Sequence, residues 1–283
     1  VSVSPVMGTS TVVTGLSAGV ATISYAGSGG TGCGIGKTIT VNPLPSVITG
    51  PMQVCQGSSI TLTDTIVGGT WAVSPTTLAS ISTTGVLSAI VTGSTTINTV
   101  TVTYTYNGCS RTTTVTINPL PALITGTARV CQGATTTLTS LPTGGTWTSG
   151  NPLLATVSSS GVVSGGTALY GPVLISYMLP TGCTRNITVT VNQAPSPIIG
   201  PAAICVGQTT IVADGTPGGT WSSSNPGIAT VSGIGVVTGV ASGFVTITYT
   251  LGVTCFVTLN MVVNPIPLPI VGPASVCESQ TIS

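Results

Sequence analysis

Cysteine is the residue through which this chain is best equipped to do chemistry, and its eight copies are evenly set: Cys33, Cys55, Cys109, Cys131, Cys183, Cys205, Cys255 and Cys277. The separations 33 to 55, 109 to 131, 183 to 205 and 255 to 277 are each 22 residues, while 55 to 109, 131 to 183 and 205 to 255 drift from 54 to 50. Zinc would call for close Cys-x-x-Cys pairs or histidine partners, and the chain has neither. Two cysteines per period without metal partners point to disulfides formed in an oxidising compartment.

Other chemistries are excluded by composition. Only four residues are basic and three acidic. General acid–base catalysis needs a carboxylate, histidine or lysine held at its target, and Asp64, Asp214 and Glu278 are scattered and nowhere paired. Calcium needs several carboxylates around one ion. A nucleic-acid partner needs a basic field, which Lys37, Arg111, Arg129 and Arg185 do not make. No catalytic residue, metal or cofactor is expected. Apolar residues are spread through alternating Thr/Val/Ile runs with no span of ~20 in a row, so no membrane helix is predicted. The first residues lack the basic and apolar regions of a signal peptide.

The elements that must position the cysteines repeat with them. Trp71, Trp147 and Trp221 each follow Gly-Gly-Thr, at intervals of 76 and 74 residues. Val54-Cys55-Gln56-Gly57 returns as Val130-Cys131-Gln132-Gly133, as Ile204-Cys205-Val206-Gly207 and as Val276-Cys277-Glu278. A period this long matches a small all-β domain strung as beads. Thr99 to Tyr106 alternates threonine with apolar or aromatic residues and predicts a half-buried strand. It recurs at Val20 to Tyr25, Val173 to Tyr177 and Val245 to Thr250, which makes Tyr25, Tyr104, Tyr177 and Tyr249 equivalent. A tight turn, a cysteine and a second alternating strand (Thr112 to Ile117, Asn186 to Val191) complete a hairpin.

Each hairpin runs into a proline-rich joint: Asn42-Pro43-Leu44-Pro45, Asn118-Pro119-Leu120-Pro121, Asn192-Gln193-Ala194-Pro195 and Asn264-Pro265-Ile266-Pro267. Proline cannot donate to a ladder and stiffens an extended backbone, so these are short semi-rigid linkers. Between them the first complete repeat reads as strands at Ser46 to Val54, Ser59 to Thr65, Thr70 to Val73, Ala79 to Ser82 and Gly85 to Leu87, followed by the hairpin. About seven strands in ~75 residues is the pattern of an immunoglobulin-like β-sandwich. The expected fold is therefore all-β, a tandem array of such sandwiches. Its parts are the end of one repeat (1-43), three whole repeats (44-119, 120-193, 194-265) and the first strands of another (266-283).

The segment Gly219-Thr220-Trp221-Ser222-Ser223-Ser224-Asn225-Pro226-Gly227-Ile228-Ala229-Thr230-Val231-Ser232, with Gly235 to Gly243 after it, resembles the bacterial group 2 Ig-like domain of invasin- and intimin-type surface proteins. The Val-Cys-x-Gly opening, Gly-Cys hairpin and Asn-Pro-x-Pro joint are similar to Ig-like and PKD-like repeats of giant surface and gliding proteins of the Bacteroidota. The resemblance implies an extracellular, cell-surface stalk, fibre or adhesin without catalytic activity. Its partners would be neighbouring repeats, identical chains in a fibre, and a surface ligand at a tip. A second reading makes the repeats themselves the binders of host protein or glycan; a third makes them an accessory to a catalytic domain elsewhere. The partial repeats at both ends fit a section of a longer polypeptide. Alternatively the end of one chain completes the start of the next by strand addition, but 1-43 and 266-283 together lack a Trp strand.

Two cysteine connectivities stay open. In such a sandwich the opening strand runs parallel to the last one. Cys55, near the end of the former, and Cys109, near the start of the latter, then stand some eight residues of ~3.3 Å apart, beyond the ~7 Å Cα separation of a disulfide. Stacking heads to tails favours Cys55–Cys183 and Cys131–Cys255 across the joints, with the other cysteines reaching further repeats. A kinked opening strand would allow the ordinary pairing within each repeat. Trp71, Trp147 and Trp221 are expected in cores more than as sugar platforms, and the tyrosines as packing residues with satisfied hydroxyls. Asn186-Ile187-Thr188 and Asp64-Thr65-Ile66 have the form of glycosylation acceptors. With stiff joints, neighbouring repeats should hold one recurring orientation.

Overall fold

A computed structural model describes residues 1–4, 11–26, 34–90, 94–252, 254–269, 271–272 and 274–281. Every regular element in it is a strand. In the first complete repeat one sheet runs in the order Gln53–Cys55, Cys109–Asn118, Asn98–Tyr106, Thr70–Ser74. A second contains Ser59–Thr61, Val86–Ala89 and Ala79–Ile81. The other two repeats copy this order, the middle one with an extra short strand at Thr125–Gly126. The fold is a tandem array of Ig-like β-sandwiches.

The alternation does the sorting. Along Asn98–Tyr106, Val100, Val102 and Tyr104 are buried while Thr99 and Thr101 are exposed, because successive side chains of a strand leave opposite faces. Val115 and Ile117 from the hairpin partner meet Leu62, Leu87 and Ala79 from the second sheet in one core. Leu138, Val163, Ile175 and Val189 make the next, and Val212, Val237, Ile247 and Met261 the third. Each repeat thus buries its own apolar set.

The opening strand departs from the sequence expectation of one continuous run from Ser46 to Val54. Thr49 bridges Thr63 in the second sheet, and only at Gln53–Cys55 does the chain join the first sheet, parallel to Thr116–Asn118. Gly50 makes the change of sheet. Its φ is +131°, and a Cβ there would lie 2.6 Å from the Thr61 carbonyl oxygen.

The chain divides into two compact units. One holds Val1–Leu123, Leu141–Thr146 and Met178–Arg185; the other holds Ile124–Ser140, Trp147–Tyr177 and Asn186–Ser283. The hairpin tip Met178–Arg185, which the linkers assign to 120-193, therefore groups with the repeat before it.

Candidate functional site: the stapled joint between repeats

The joint starts at the end of the closing hairpin. Asn118 is the last residue of its strand and stands level with Cys55 in the parallel ladder. Its carbonyl accepts from the Gln56 N–H at 3.0 Å, and its side-chain amide donates to Gln53 Oε1 at 3.2 Å. Asn118 is buried, so a side chain that pairs locally is what this place requires. The same N–H to carbonyl bond recurs from Gln132 to Asn192 at 2.9 Å and from Val206 to Asn264 at 3.0 Å. Each opening-strand cysteine is thereby fixed at the exit of its own repeat.

The cysteine of the following hairpin comes to that exit. Cys55 is bonded to Cys183 with Cα atoms 5.6 Å apart, and Cys131 to Cys255 with 5.7 Å. Both separations are ordinary for a disulfide. Cys183 and Cys255 are buried, at 1% and 2% exposure, so neither bond is open to solvent from that side. The opening strand is kinked, yet Cys55 still faces Asn118, at the far end of the strand that begins with Cys109. Nine residues of strand put those two cysteines about 30 Å apart, and no bond within the repeat can form.

Polar contacts complete the joints. Arg185, two residues past Cys183, donates from Nε to the Pro121 carbonyl at 3.3 Å. Gln132 uses both ends of its amide, donating to the Thr167 carbonyl at 3.2 Å and accepting from the Ala194 N–H at 3.0 Å. A groove of about 610 Å³ beside the first joint is lined by Leu120, Pro121, Leu141 and Pro142, with Arg185 as its charged group. Nothing in this set can act as nucleophile and base together. Among the described residues no group of three or more His, Cys, Asp or Glu is placed to hold a metal ion.

The remaining cysteines are placed like the bonded ones but carry no disulfide: Cys109, Cys205 and Cys277. This corrects the expectation that every cysteine is bonded, and the reason is geometric. The staple joins the exit of one repeat to the entrance of the next, and each of these thiols faces a repeat beyond the described residues. Cys109 donates to the Asn42 carbonyl at 3.8 Å, the place that Cys183 takes beside Asn118 at 4.0 Å. Cys205 is level with Asn264 just as Cys131 is with Asn192. Cys33 lies outside the described residues.

The aromatic residues brace each sandwich near its entrance. Trp71, Trp147 and Trp221 are half-buried against their cores, with ring centroids 4.6, 4.6 and 4.7 Å from Tyr104, Tyr177 and Tyr249. Those three tyrosines are buried. Tyr25 is not: it is 75% exposed, because the strands that would cover it are not among those of 1-43, and its expected place in a core is corrected. The Tyr104 hydroxyl donates to the Ile66 carbonyl at 2.5 Å and accepts from the Gly69 N–H at 2.8 Å. A Cβ on Gly69 would lie 2.4 Å from the Tyr104 ring. Sequence reading recorded the Gly-Gly-Thr-Trp signature but missed this partnership. The signal was there in the equal recurrence of the tyrosines.

Residues 205–259 match the family model described as bacterial Ig-like domain (group 2). No curated protein matches the chain. Among solved structures, surface layer protein SbsC domains 1–6 is 21% identical, covering 94% of this chain and 47% of that one, with a TM-score of 0.23. Invasin, titled a bacterial integrin-binding protein, is 17% identical over 88% of this chain and 65% of its own, with a TM-score of 0.35. The intimin fragment solved with the intimin-binding domain of its translocated receptor is 19% identical over 54% and 67%, also at 0.35. The chain thus spans about half the length of the surface layer protein that it matches, 47%. On its strand order and this domain match the chain is a tandem run of Ig-like repeats, similar within 205–259 to the bacterial group 2 domain.

Proposed function

We propose that the chain is a non-catalytic structural section of an extracellular, cell-surface fibre, filament or stalk, built of Ig-like repeats with boundaries at 44-119, 120-193 and 194-265. The observation that carries this reading is the pair of disulfides at equivalent places, each binding one repeat to the next. A bond that crosses a linker adds nothing to a single sandwich's core, but it fixes the spacing of beads in an array. Disulfides of this kind persist outside the reducing cytosol. Cys109, Cys205, Cys277 and Cys33 are, on this reading, the half-staples for neighbouring repeats of the same chain or of identical chains. The near absence of charge leaves little repulsion between arrays packed side by side. The Val-Cys-x-Gly and Asn-Pro-x-Pro signatures support an origin among giant surface, gliding or adhesin proteins of the Bacteroidota.

Immunogold labelling and negative-stain imaging of intact cells test the reading. Label along thin surface fibres, removed by external protease, is the expected result. Label confined to the cytoplasm would reject it.

A further inference from the structure

The two staples and the 22-residue cysteine interval together describe a covalent path that avoids the sandwich interiors. From Cys183 the chain runs down the strand Thr184–Asn192, through the joint, and along Ala203–Cys205. From Cys109 it runs down Cys109–Asn118 and on to Arg129–Cys131. Both segments are extended strand and proline joint, and 22 residues reach at most about 75 Å. At one end of each such segment a disulfide carries the chain directly to the next.

We propose that these segments form two interleaved tension-bearing lines. One passes Cys33, Cys55, Cys183 and Cys205; the other passes Cys109, Cys131, Cys255 and Cys277. Every 22-residue interval is a link in one of them, and the disulfides Cys55–Cys183 and Cys131–Cys255 are their couplings. In the middle repeat the last strand belongs to the first line and the opening strand to the second. The parallel ladder of Thr190–Asn192 with Arg129–Cys131 holds them side by side. The rest of each sandwich, from its opening cysteine to its hairpin cysteine, hangs as a loop off both lines. This accounts for the two kinds of spacing. Links that share a load must be equal, and they are all 22 residues; the intervals of 54, 52 and 50 residues bear no load and are free to vary.

The inference rests on the structural reading above, because shielding matters only in a chain that is pulled. Its test is mechanical. Clickable, thiol-free handles replace exposed Lys37 and Gln208 of the full chain, which lie on the first line, and single tethers are stretched in oxidising and reducing buffer. The oxidised tether should straighten to about one quarter of its reduced contour length, without steps of a whole repeat. Reduction during the pull should release the rest in unfolding steps. Pairing within repeats would instead withhold less, giving about two fifths of the reduced length, and that result would overturn the proposal. So would repeat-sized steps in the oxidised tether. Cys55→Ser with Cys183→Ser should lengthen the oxidised tether about three-fold; if that variant does not fold, reduction of the unaltered chain supplies the same readout. Failure of the imaging experiment would leave the tether lengths untouched, and wrong tether lengths would leave the location of the fibre untouched.

Discussion

Tyr104 and Tyr249 each bind two backbone groups through one hydroxyl, and the arrangement depends on a neighbour with no side chain. Gly219 N–H donates to the Tyr249 hydroxyl at 2.8 Å, and that hydroxyl donates to the Thr216 carbonyl at 2.6 Å. A second glycine, at the turn before the fifth strand, is equally constrained. Gly85, Gly161 and Gly235 have φ of +81°, +83° and +81°, and a Cβ would lie 2.3, 2.2 and 2.2 Å from the carbonyl oxygens of Leu62, Leu138 and Val212. Gly161→Ala should therefore destabilise its own repeat by about 2 kcal/mol, through the left-handed backbone and the collision with carbonyl oxygen. Trp147→Ala should lose about 3 kcal/mol, the low end for an aromatic because the ring is half-buried. Hydrogen exchange resolved by repeat checks both: protection should fall around the altered core and hold in the repeat of Trp71. Uniform loss throughout the chain would mean that the repeats are not separate folding units.

At the scale of the element, the parallel pairing of opening and last strands decides the joint. It sets Cys55, Cys131 and Cys205 at the exit of their repeats, whereas Cys109, Cys183 and Cys255 begin or adjoin the last strands at the entrance. Replacing Cys55 and Cys183 together by serine removes a cross-link over a separation of 128 residues. Chain-entropy reasoning puts the loss at roughly 4 kcal/mol, to be read as a lower denaturant midpoint for the first and second repeats. Much of this level was legible beforehand. The Trp strand expected at Thr70 to Val73 is Thr70–Ser74, and the hairpin strand expected at Thr99 to Tyr106 is Asn98–Tyr106. Alternation reports which face a core covers, and these strands have one covered face. The switch of sheets at Gly50 left no such trace, since a change in backbone direction at glycine does not alter the order of apolar and polar residues. Tyr25 failed for a related reason: its own strand, Gly19–Ala26, alternates correctly, and whether anything covers it depends on other strands.

For the whole molecule, the account turns on which cysteines are joined. Alkylation of the unreduced, denatured 283-residue chain should mark Cys109, Cys205 and Cys277 and spare Cys55, Cys131, Cys183 and Cys255. Material taken from an assembled array should protect all of them, if neighbouring repeats close the half-staples. Labelling that spread over every cysteine of the isolated chain would mean that no staple forms. The most direct measurement is peptide mapping by mass spectrometry after proteolysis without reduction. Cross-linked peptides that join Cys55 to Cys183 and Cys131 to Cys255 are the result expected from the parallel register at each joint. Peptides joining Cys55 to Cys109, Cys131 to Cys183 and Cys205 to Cys255 would contradict it.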